Sequence, residues 1–277
     1  MAGLPHWICT TCGTQFKESA QPPEQCGICA DERQWVNWQG QSWTTLAHLR
    51  RDHRNTFTEE EPGLLGIRTE PSFAIGQRAL LITTAAGNVL WDCVSLIDPE
   101  TVNEIRRRGS LAAIAISHPH FYSSMVEWSR AFGDAPVYVH ADDRMWIMRP
   151  DDAITPWQGA SHVLPGGLTL LRCGGHFRGS AVLHWPGGAG GRGALLTGDT
   201  LQVVPDRRHV SVMYSYPNLI PVDAATFRRI AGIVEPLRFD RVYGGFSGRV
   251  IAAGAHDAVV QSLERYEQAV RGQAASL

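Results

Sequence analysis

The sequence predicts an α+β protein in which β-sheets pack together and helices cover them, preceded by a small metal-binding module. Residues 1–40 are rich in Cys, Pro, Gln and Trp and show little apolar periodicity. From about residue 62, strand-like hairpins come first and then alternate with helical patterns. That order is typical of packed sheets with outer helices. We therefore predict a four-cysteine module at 1–40, a linker at 41–61 and a large domain at 62–277.

The composition excludes several classes of function. The chain has 277 residues, of which 44% are hydrophobic and 19% charged, and its formal net charge is −2. Such values are typical of a globular protein, and they favour neither nucleic acid nor a membrane as a partner. The N-terminus lacks a signal-peptide pattern, and no apolar run approaches the roughly 20 residues that span a bilayer. We expect a cytoplasmic protein with a small-molecule substrate, and leave homo-oligomerisation open.

Local signals justify each element of the large domain. Two β-rich runs at 78–85 and 88–94 flank an Ala-Gly pair, which predicts a hairpin. Asp98 can cap a helix that begins at Pro99, and Gly109 ends it. Further strands are predicted at 111–117, 135–141, 168–173, 180–185, 193–199 and 239–245, and further helices at 123–133 and 255–272.

The remaining segments are predicted to connect the strands and helices. Residues 42–53 indicate a short helix within the linker, and the acidic run at 58–62 indicates a solvated loop. The glycine-rich segment 186–193 lacks the Lys-Ser/Thr of a phosphate-binding loop, so we predict a flexible hairpin connection. The long loops at 149–162 and 203–221 follow predicted strand ends and are expected to shape a pocket. Exposed tyrosines and prolines in the second loop would suit an interface.

Four cysteines of the module form two CxxC pairs. A CxxC turn brings two thiolates close to one ion, and two such pairs make a tetrahedral site suited to zinc or iron. Disulfides or unpaired thiols are the alternatives, but paired spacing favours a metal. About 40 residues bury too little apolar surface for a core, so the metal would replace one. The predicted ligands are Cys9, Cys12, Cys26 and Cys29, whereas Cys93 and Cys173 are expected to be buried thiols.

The module resembles the rubredoxin-like modules of rubrerythrins over about 30 residues, including Gly13 after the second cysteine. That resemblance implies iron. Zinc ribbons share the spacing, and Gly27 stands where the rubredoxin-like pattern usually has proline. Zinc and iron therefore both stay open for this site.

Four further residues of types that bind metals lie at or just after the ends of predicted strands. His118 and His120 follow one strand at i and i+2, and side chains at that spacing point to the same side in extended backbone. His176 follows the next strand but one, and Asp199 ends another. If the sheets align these strand ends, the four donors converge on one rim and can share an ion.

Two other histidines lie within predicted strands. His140 and His184 have no ligand spacing around them. A lone strand histidine is more often a hydrogen-bonded core residue than a ligand. We assign both to packing.

The order of these motifs resembles the metallo-β-lactamase superfamily over roughly residues 62–277. The matching motifs are WDC at 91–93, HPH at 118–120, GGHFRGS at 174–180 and LLTGDT at 195–200. The resemblance implies a four-layer αββα sandwich with metal at the strand-end rim. Carried over by position, it makes Asp92 a structural residue. It makes His118, His120 and His176 ligands of a first metal, and Asp199 a ligand or a bridge to a second.

Two departures from that family predict a single metal at the rim. Tyr122 and Ser123 stand where the HxHxDH motif has aspartate and histidine, and residues 244–248 contain no late histidine. Three usual ligands of the second metal are therefore missing. His162 or His209 would have to substitute, and their spacing does not argue for it.

The predicted function is that of a metal-dependent hydrolase of a small ester, lactone, thioester or related bond. Zinc, alternatively iron or manganese, would be held by the three histidines and would activate water. Asp199 would be a fourth ligand or would accept the proton of the water. Tyr122 would donate a hydrogen bond to the oxyanion, although packing is an equal alternative. The other hypotheses are an iron-dependent oxidoreductase that receives electrons from the four-cysteine module, and a non-catalytic metal-binding protein.

Overall fold

The computed structural model describes residues 3–273 of the chain. A three-stranded N-terminal sheet precedes two larger sheets that lie face to face, with helices on both outer faces. The αββα order of layers that the sequence predicted is confirmed. Within residues 3–273, none of the helices has the length and apolar character that crossing a membrane requires.

The N-terminal module is built from β1 (His6–Cys9), β2 (Gln15–Glu18) and β3 (Trp43–Thr45). These strands form an antiparallel sheet in the order β2-β1-β3, and α1 (Leu46–Asp52) follows. The buried centre of the module consists of the four cysteines with Phe16 and Ile28. Two apolar side chains are too few for a core, so the cysteine cluster takes its place.

The first sheet of the large domain has seven strands in the order β10-β9-β8-β7-β6-β5-β4. They are β4 (Arg54–Glu61), β5 (Leu64–Glu70), β6 (Ala79–Ile82), β7 (Asn88–Trp91), β8 (Leu111–Ala115), β9 (Val137–His140) and β10 (Ile154–Trp157). Strands β4 to β7 form an antiparallel meander, and β7 to β10 run parallel. The parallel connections carry α2 (Pro99–Arg107) and α3 (Met125–Ala131), with 3-10 turns at Pro119–Phe121 and Ala141–Trp146.

The second sheet has six strands in the order β11-β12-β13-β14-β19-β20. The strands from here to the end of the chain are β11 (Ser161–Val163), β12 (Thr169–Arg172), β13 (Ala181–Trp185), β14 (Ala194–Gly198), β15 (Gln202–Val203), β16 (Val210–Ser211), β17 (Met213–Ser215), β18 (Ile220–Pro221), β19 (Arg241–Gly244) and β20 (Val250–Ile251). Strands β15–β16 and β17–β18 are two separate hairpins. The helices are α4 (Gly188–Gly191), α5 (Ala224–Val234) and α6 (Ala255–Val270), and Pro165–Gly167 is a 3-10 turn.

Three apolar layers hold the sandwich together. The layer between the sheets includes Leu80 and Trp91 from one sheet and Leu196 and Tyr243 from the other. A second layer joins α2 and α3 to the outer face of the first sheet, and a third joins α5 and α6 to the second sheet. Alternate residues of each strand therefore enter different layers, as the period of two in a strand requires. This packing fixes where each strand ends and thus where the rim lies.

The predicted elements of the large domain are confirmed, with shifts of a few residues at their ends. Asp98 caps α2 by accepting a hydrogen bond from the Thr101 backbone N–H to its Oδ1 at 2.7 Å, and Pro99 is the first helical residue. Gly109, which ends this segment, has φ +121°, a conformation that glycine adopts without strain. Capping and stopping signals therefore located this helix correctly.

The segment at 41–61 differs from the sequence expectation. Residues 43–45 are the third strand of the module, and residues 54–61 are the edge strand β4. An edge strand carries charges on its exposed face, so a charged pattern resembles a loop. Glu60 and Glu61 are not solvated. The Glu60 carboxylate lies 2.6 Å from Nη1 of Arg78, and Glu61 lies 2.7 Å from Nη1 of Arg241 in the opposite sheet.

The glycine-rich segment at 186–193 joins two antiparallel strands, as predicted, but it is folded rather than open. It forms the single helical turn α4, in which Gly188 and Ala189 are buried. The Ala189 backbone N–H donates to Glu61 Oε2 at 2.9 Å. An acceptor from the other sheet therefore holds the turn in place, which local sequence could not reveal.

The ion pair between Glu60 and Arg78 yields a stability prediction. Arg78 is 1% exposed, so Glu60→Ala leaves a buried guanidinium without its carboxylate. We expect the free energy of unfolding in urea to fall by about 3–5 kcal/mol. The neighbouring Glu59 is the matched control, because its side chain is 50% exposed and pairs with Arg108 at the surface. Glu59→Ala should cost about 1 kcal/mol or less, and equal losses in the two variants would contradict this account.

Candidate metal centre

The four cysteines of the module meet at one point. Their Sγ atoms all lie within 4.8 Å of one another, and the pairs Cys9–Cys29 and Cys12–Cys26 are each 3.6 Å apart. None forms a disulfide, and all four are buried. Thiolates at about 2.3 Å from one ion in a tetrahedron stand about 3.8 Å apart. The observed spacing therefore fits a four-thiolate metal site.

Gln41 extends this cysteine site from the segment after the module's central loop. Its Nε2 donates to Cys9 Sγ at 3.1 Å, and its Oε1 accepts from the Cys26 backbone N–H at 3.1 Å. A donor aimed at the sulfur stabilises the charged thiolate over the neutral thiol. No sequence pattern predicts this contact.

The rim cluster brings together the three histidines and the aspartate that the sequence singled out. His118 and His120 follow β8, His176 follows β12, and Asp199 comes directly after β14. One ligand atom from each residue lies within 4.8 Å of the others, and all four residues are buried. The strand ends therefore do align, and they place four donors around one point.

Hydrogen bonds on the outer ring nitrogens aim the imidazoles inward. His176 Nδ1 lies 2.8 Å from the Tyr214 carbonyl oxygen, which can only accept, so this nitrogen carries the proton. His176 Nε2 is then a free lone pair, and it faces His120 Nδ1 at 3.1 Å. Imidazole nitrogens at about 2.0–2.1 Å from one tetrahedral ion stand about 3.3 Å apart. This pair therefore has the separation of two ligands of one metal.

A chain of polar contacts supports His118 from behind. Its Nδ1 lies 2.8 Å from Ser117 Oγ, and the Ser117 backbone N–H donates to Asp92 Oδ1 at 2.7 Å. Gly198 passes so close that a Cβ there would stand 2.5 Å from Ser117 Oγ, so only glycine fits. Asp92 is fully buried, has φ +62°, and fills the structural position that the sequence assigned to it.

Several buried polar atoms at the rim have no hydrogen-bond partner. Within residues 3–273, His118 Nε2, His120 Nε2 and Asp199 Oδ1 are buried and have no hydrogen-bond partner. Leaving a buried polar atom unpaired costs about 1–3 kcal/mol. A divalent ion at the centre of the cluster would remove that cost for His118 Nε2, which faces Asp199 Oδ2 at 3.6 Å, whereas His120 faces the centre through its Nδ1. The residues present therefore fit one metal ion.

Burial sets the protonation of the rim. It lowers the pKa of His176 to about 4, and it holds the pKa values of His118 and His120 well below their usual range. Burial raises the pKa of Asp199 to about 7. The imidazoles are thus neutral near pH 7, which is the form that binds metals. Burial makes the ionised form of this carboxyl group unfavourable, and a neighbouring cation would stabilise that form.

Phe121 and Ser123, which lie in the stretch where the HxHxDH motif carries ligands of a second metal, make other contacts. Ser123 Oγ accepts from Gln77 Nε2 at 2.8 Å and donates to the Cys93 carbonyl at 3.2 Å. The ring of Phe121 packs at 4.5 Å from the ring of His118 and against Gly245, where a Cβ would stand 3.6 Å from Asp199 Oδ1. Ser123 is thus engaged by hydrogen bonds, Phe121 offers no donor atom, and within residues 3–273 no fifth His, Cys, Asp or Glu joins the rim group.

Tyr122 packs into the core of the large domain and is 2% exposed. Its hydroxyl donates to the Asp143 carbonyl at 3.4 Å, and burial raises the pKa of the phenol. This contact favours the packing role that the sequence left equally open. The oxyanion role predicted for Tyr122 stays a prediction without a supporting contact.

The other histidines of the large domain lie outside the cluster. His209 Nδ1 pairs with Asp206 at 2.6 Å on an exposed loop, and His162 packs its ring on Tyr138. His140 and His184 bond to backbone carbonyls at 3.2 and 2.8 Å, as expected for packing residues. Among the residues that the structure describes, neither proposed substitute joins a group of metal donors.

Sequence reasoning missed the contact between the module and the rim. The guanidinium of Arg33 lies 4.0 Å from the centre of the Phe177 ring, and its Nη1 donates to the His176 carbonyl at 3.4 Å. The Asp31 carboxylate accepts two hydrogen bonds from this guanidinium, at 2.5 and 2.8 Å. Only the pattern Asp-x-Arg directly after the second CxxC hinted at a role, and nothing in the sequence named its partner.

Two more module contacts hold the loop that orients His176. Tyr214, whose carbonyl accepts from His176, donates its hydroxyl to Glu32 Oε1 at 2.6 Å. Asn218 Nδ2 donates to the backbone carbonyls of Glu32 and Gln34 at 2.8 and 3.1 Å. The tyrosine is therefore turned toward the module, whereas Leu219 in the same loop is 78% exposed.

The cysteine site can be tested separately from the rim. We expect Cys9→Ser combined with Cys12→Ser to remove about one metal ion per chain, because two thiolates cannot complete a tetrahedral site. The three apolar layers of the large domain should keep it folded, as measured by near-UV circular dichroism. Cys93→Ser combined with Cys173→Ser is the control, since both residues are buried outside the cluster. Unchanged metal content in the first variant would refute the four-cysteine assignment.

Comparisons with known proteins agree with the fold. No family model matches the chain. The structure is similar to that of the DIM-1 metallo-β-lactamase exposed to ceftazidime, with a TM-score of 0.57 and 11% identity, over 79% of this chain and 97% of that one. It is also similar to a B3 metallo-β-lactamase with an active-site glutamic acid, with a TM-score of 0.53 and 15% identity, over 83% and 94% of the two chains.

One curated relative is similar over nearly the whole sequence. The uncharacterized protein YmaE of Bacillus subtilis (strain 168) is 47% identical over 272 residues, which is 98% of each chain. Identity of this extent covers the module as well as the large domain. The chain therefore belongs to the YmaE family, and its large domain has the metallo-β-lactamase fold.

Proposed function

We propose that this protein is a hydrolase that uses one divalent metal ion at the rim to cleave a small ester, lactone, thioester or related bond. The observation that carries the proposal is the convergence of three neutral imidazoles and one carboxylate within 4.8 Å. Zinc suits three nitrogen donors and one oxygen donor, and iron or manganese are the alternatives. Such an ion polarises a carbonyl group and lowers the pKa of a water molecule toward neutrality.

Asp199 is suited to move a proton in this reaction. Its Oδ2 lies 3.6 Å from His118 Nε2 and faces the centre of the cluster, whereas its Oδ1 has no partner among the described residues. One carboxylate can thus face the ion with one oxygen and accept a proton with the other. A general base must lie within hydrogen-bond reach of the attacking water, and among residues 3–273 Asp199 supplies the one carboxylate of the cluster.

The surrounding rings keep the site dry and rigid. Phe177 packs its ring at 4.9 Å from that of His120 and 5.1 Å from that of His176, with both pairs nearly perpendicular. Phe121 covers His118. Water is therefore excluded from the backs of the imidazoles, and their orientation is set before a substrate arrives. Preorganised donors in a dry site stabilise developing charge more strongly than solvated ones.

One observation supports the oxidoreductase hypothesis as a second candidate. The four-cysteine module is in direct contact with a rim ligand, because Arg33 bonds to the His176 carbonyl. A four-thiolate iron site can exchange electrons, and contact between two iron sites would suit that exchange. Iron in both sites, with visible absorption that bleaches on reduction, would favour this candidate. Zinc in the rim would favour hydrolysis.

Paired substitutions test the hydrolase proposal. His176→Ala should remove the rim metal and all activity on a panel of chromogenic esters, thioesters and lactones. Asp199→Asn should lower kcat by about 10²-fold or more while the variant retains more metal than His176→Ala does. His184→Ala is the control, since this histidine bonds to a backbone carbonyl away from the rim, and it should keep both metal and activity. Full activity in His176→Ala would show that the rim is not the active site.

A further inference from the structure

A cavity of about 610 Å³ opens beside His176, the one rim donor among its lining residues. Its walls are the loop at 174–178, the start of α5, the β17–β18 hairpin and Arg33 of the module. The volume lies in the range of small-ligand pockets and far exceeds that of a single phosphate ion. We call this cavity the arginine pocket, after Arg33, Arg172, Arg178 and Arg229, which line it.

The arginine pocket has an excess of positive charge. Four guanidinium groups and a single carboxylate, that of Asp223, line its walls. The Asp223 carboxylate is engaged, because its Oδ1 accepts from the backbone N–H groups of Ala225 and Thr226 at 2.8 and 3.0 Å as the cap of α5. The field of the pocket is therefore set by the arginines.

Two of the four arginines have no acidic partner. Arg33 pairs with Asp31, and Arg172 pairs with Asp142 at 2.7 Å. Within residues 3–273, neither Arg178 nor Arg229 has a carboxylate within 4.0 Å. Both side chains are exposed and line the same cavity, so each guanidinium is free to pair with an anion from solvent. The pocket therefore favours an anionic ligand over a neutral one.

Beside these arginines, the loop backbone at Gly174 and Gly175 lies close to Arg229 and to α5. Arg229 Nε donates to the Cys173 carbonyl at 3.3 Å, which holds its guanidinium against the loop. Gly174 has φ +69°, and a Cβ there would stand 3.0 Å from Arg229 Nη2. Gly175 has φ +90°, and a Cβ there would press on Ile230 at 3.0 Å. Gly174 therefore lets the loop approach the Arg229 guanidinium, and Gly175 lets it pack against α5.

We propose that the arginine pocket binds the carboxylate or phosphate group of a small organic anion. Arginine suits both groups because its planar fork can donate two parallel hydrogen bonds. The pocket shares His176 and Phe177 with the rim, so a ligand anchored by its anionic group lies next to the metal centre. If the proposed hydrolase function holds, this anion is the substrate, and the enzyme acts on acidic esters, lactones or thioesters. The binding site itself does not depend on turnover.

Calorimetric titration of the full, metal-loaded protein at constant ionic strength tests this proposal. Inorganic phosphate and succinate are the probes, and glycerol is the neutral control. We expect at least one anion to bind and glycerol not to bind. Arg178→Gln combined with Arg229→Gln should weaken that binding about tenfold or more, since each guanidinium supplies charge-assisted hydrogen bonds. Preference for phosphate or for succinate identifies which anionic group the pocket takes.

Arg207→Gln combined with Arg208→Gln is the matched control, because these exposed arginines lie outside the pocket and the loss of charge is the same. It should bind the anion as the parent protein does. An equal loss in both double variants would overturn the proposal in favour of overall charge. Unchanged binding in the pocket variant would overturn the proposal, because the anion would then bind at the metal instead. If neither anion binds to the parent protein, the proposal is also wrong. A protein that binds anions at the pocket but hydrolyses nothing would refute the proposed function alone.

Discussion

The rim depends most on the hydrogen bond between His176 Nδ1 and the carbonyl oxygen of Tyr214. A carbonyl can only accept, so this bond fixes the proton on the outer nitrogen and leaves the inner one free to bind a metal. The inner nitrogen then faces His120 at 3.1 Å, the separation expected for two ligands of one ion. Without the Tyr214 acceptor, the imidazole could rotate or take the other tautomer, and the cluster would lose its geometry.

That acceptor is held in place by the N-terminal module. Tyr214 donates its hydroxyl to Glu32, and Arg33 bonds to the carbonyl of His176 itself. Both module residues lie within four positions of Cys29, a predicted ligand of the cysteine metal. The segment that follows Cys29 therefore contacts both His176 and the residue that orients it.

The sequence identified the residues of both clusters because their signals are local. The CxxC pairs, the i and i+2 histidines and the ligands at strand ends need only spacing and strand periodicity to be recognised. The acidic run of β4 was misread as a loop because its partners, Arg78 and Arg241, lie far away in sequence. The contact of Arg33 with Phe177 was missed for the same reason. Long-range pairing of charged groups leaves no local pattern, and it decides both the edge of the sandwich and the docking of the module.

The central claim is that the rim holds one metal ion, because no further His, Cys, Asp or Glu within residues 3–273 joins the four rim donors. Anomalous diffraction from crystals of the metal-loaded protein measures this most directly, since it locates each ion. The account predicts one strong peak among His118, His120, His176 and Asp199, and one more at the four cysteines. Two well-occupied peaks a few ångströms apart at the rim would contradict it.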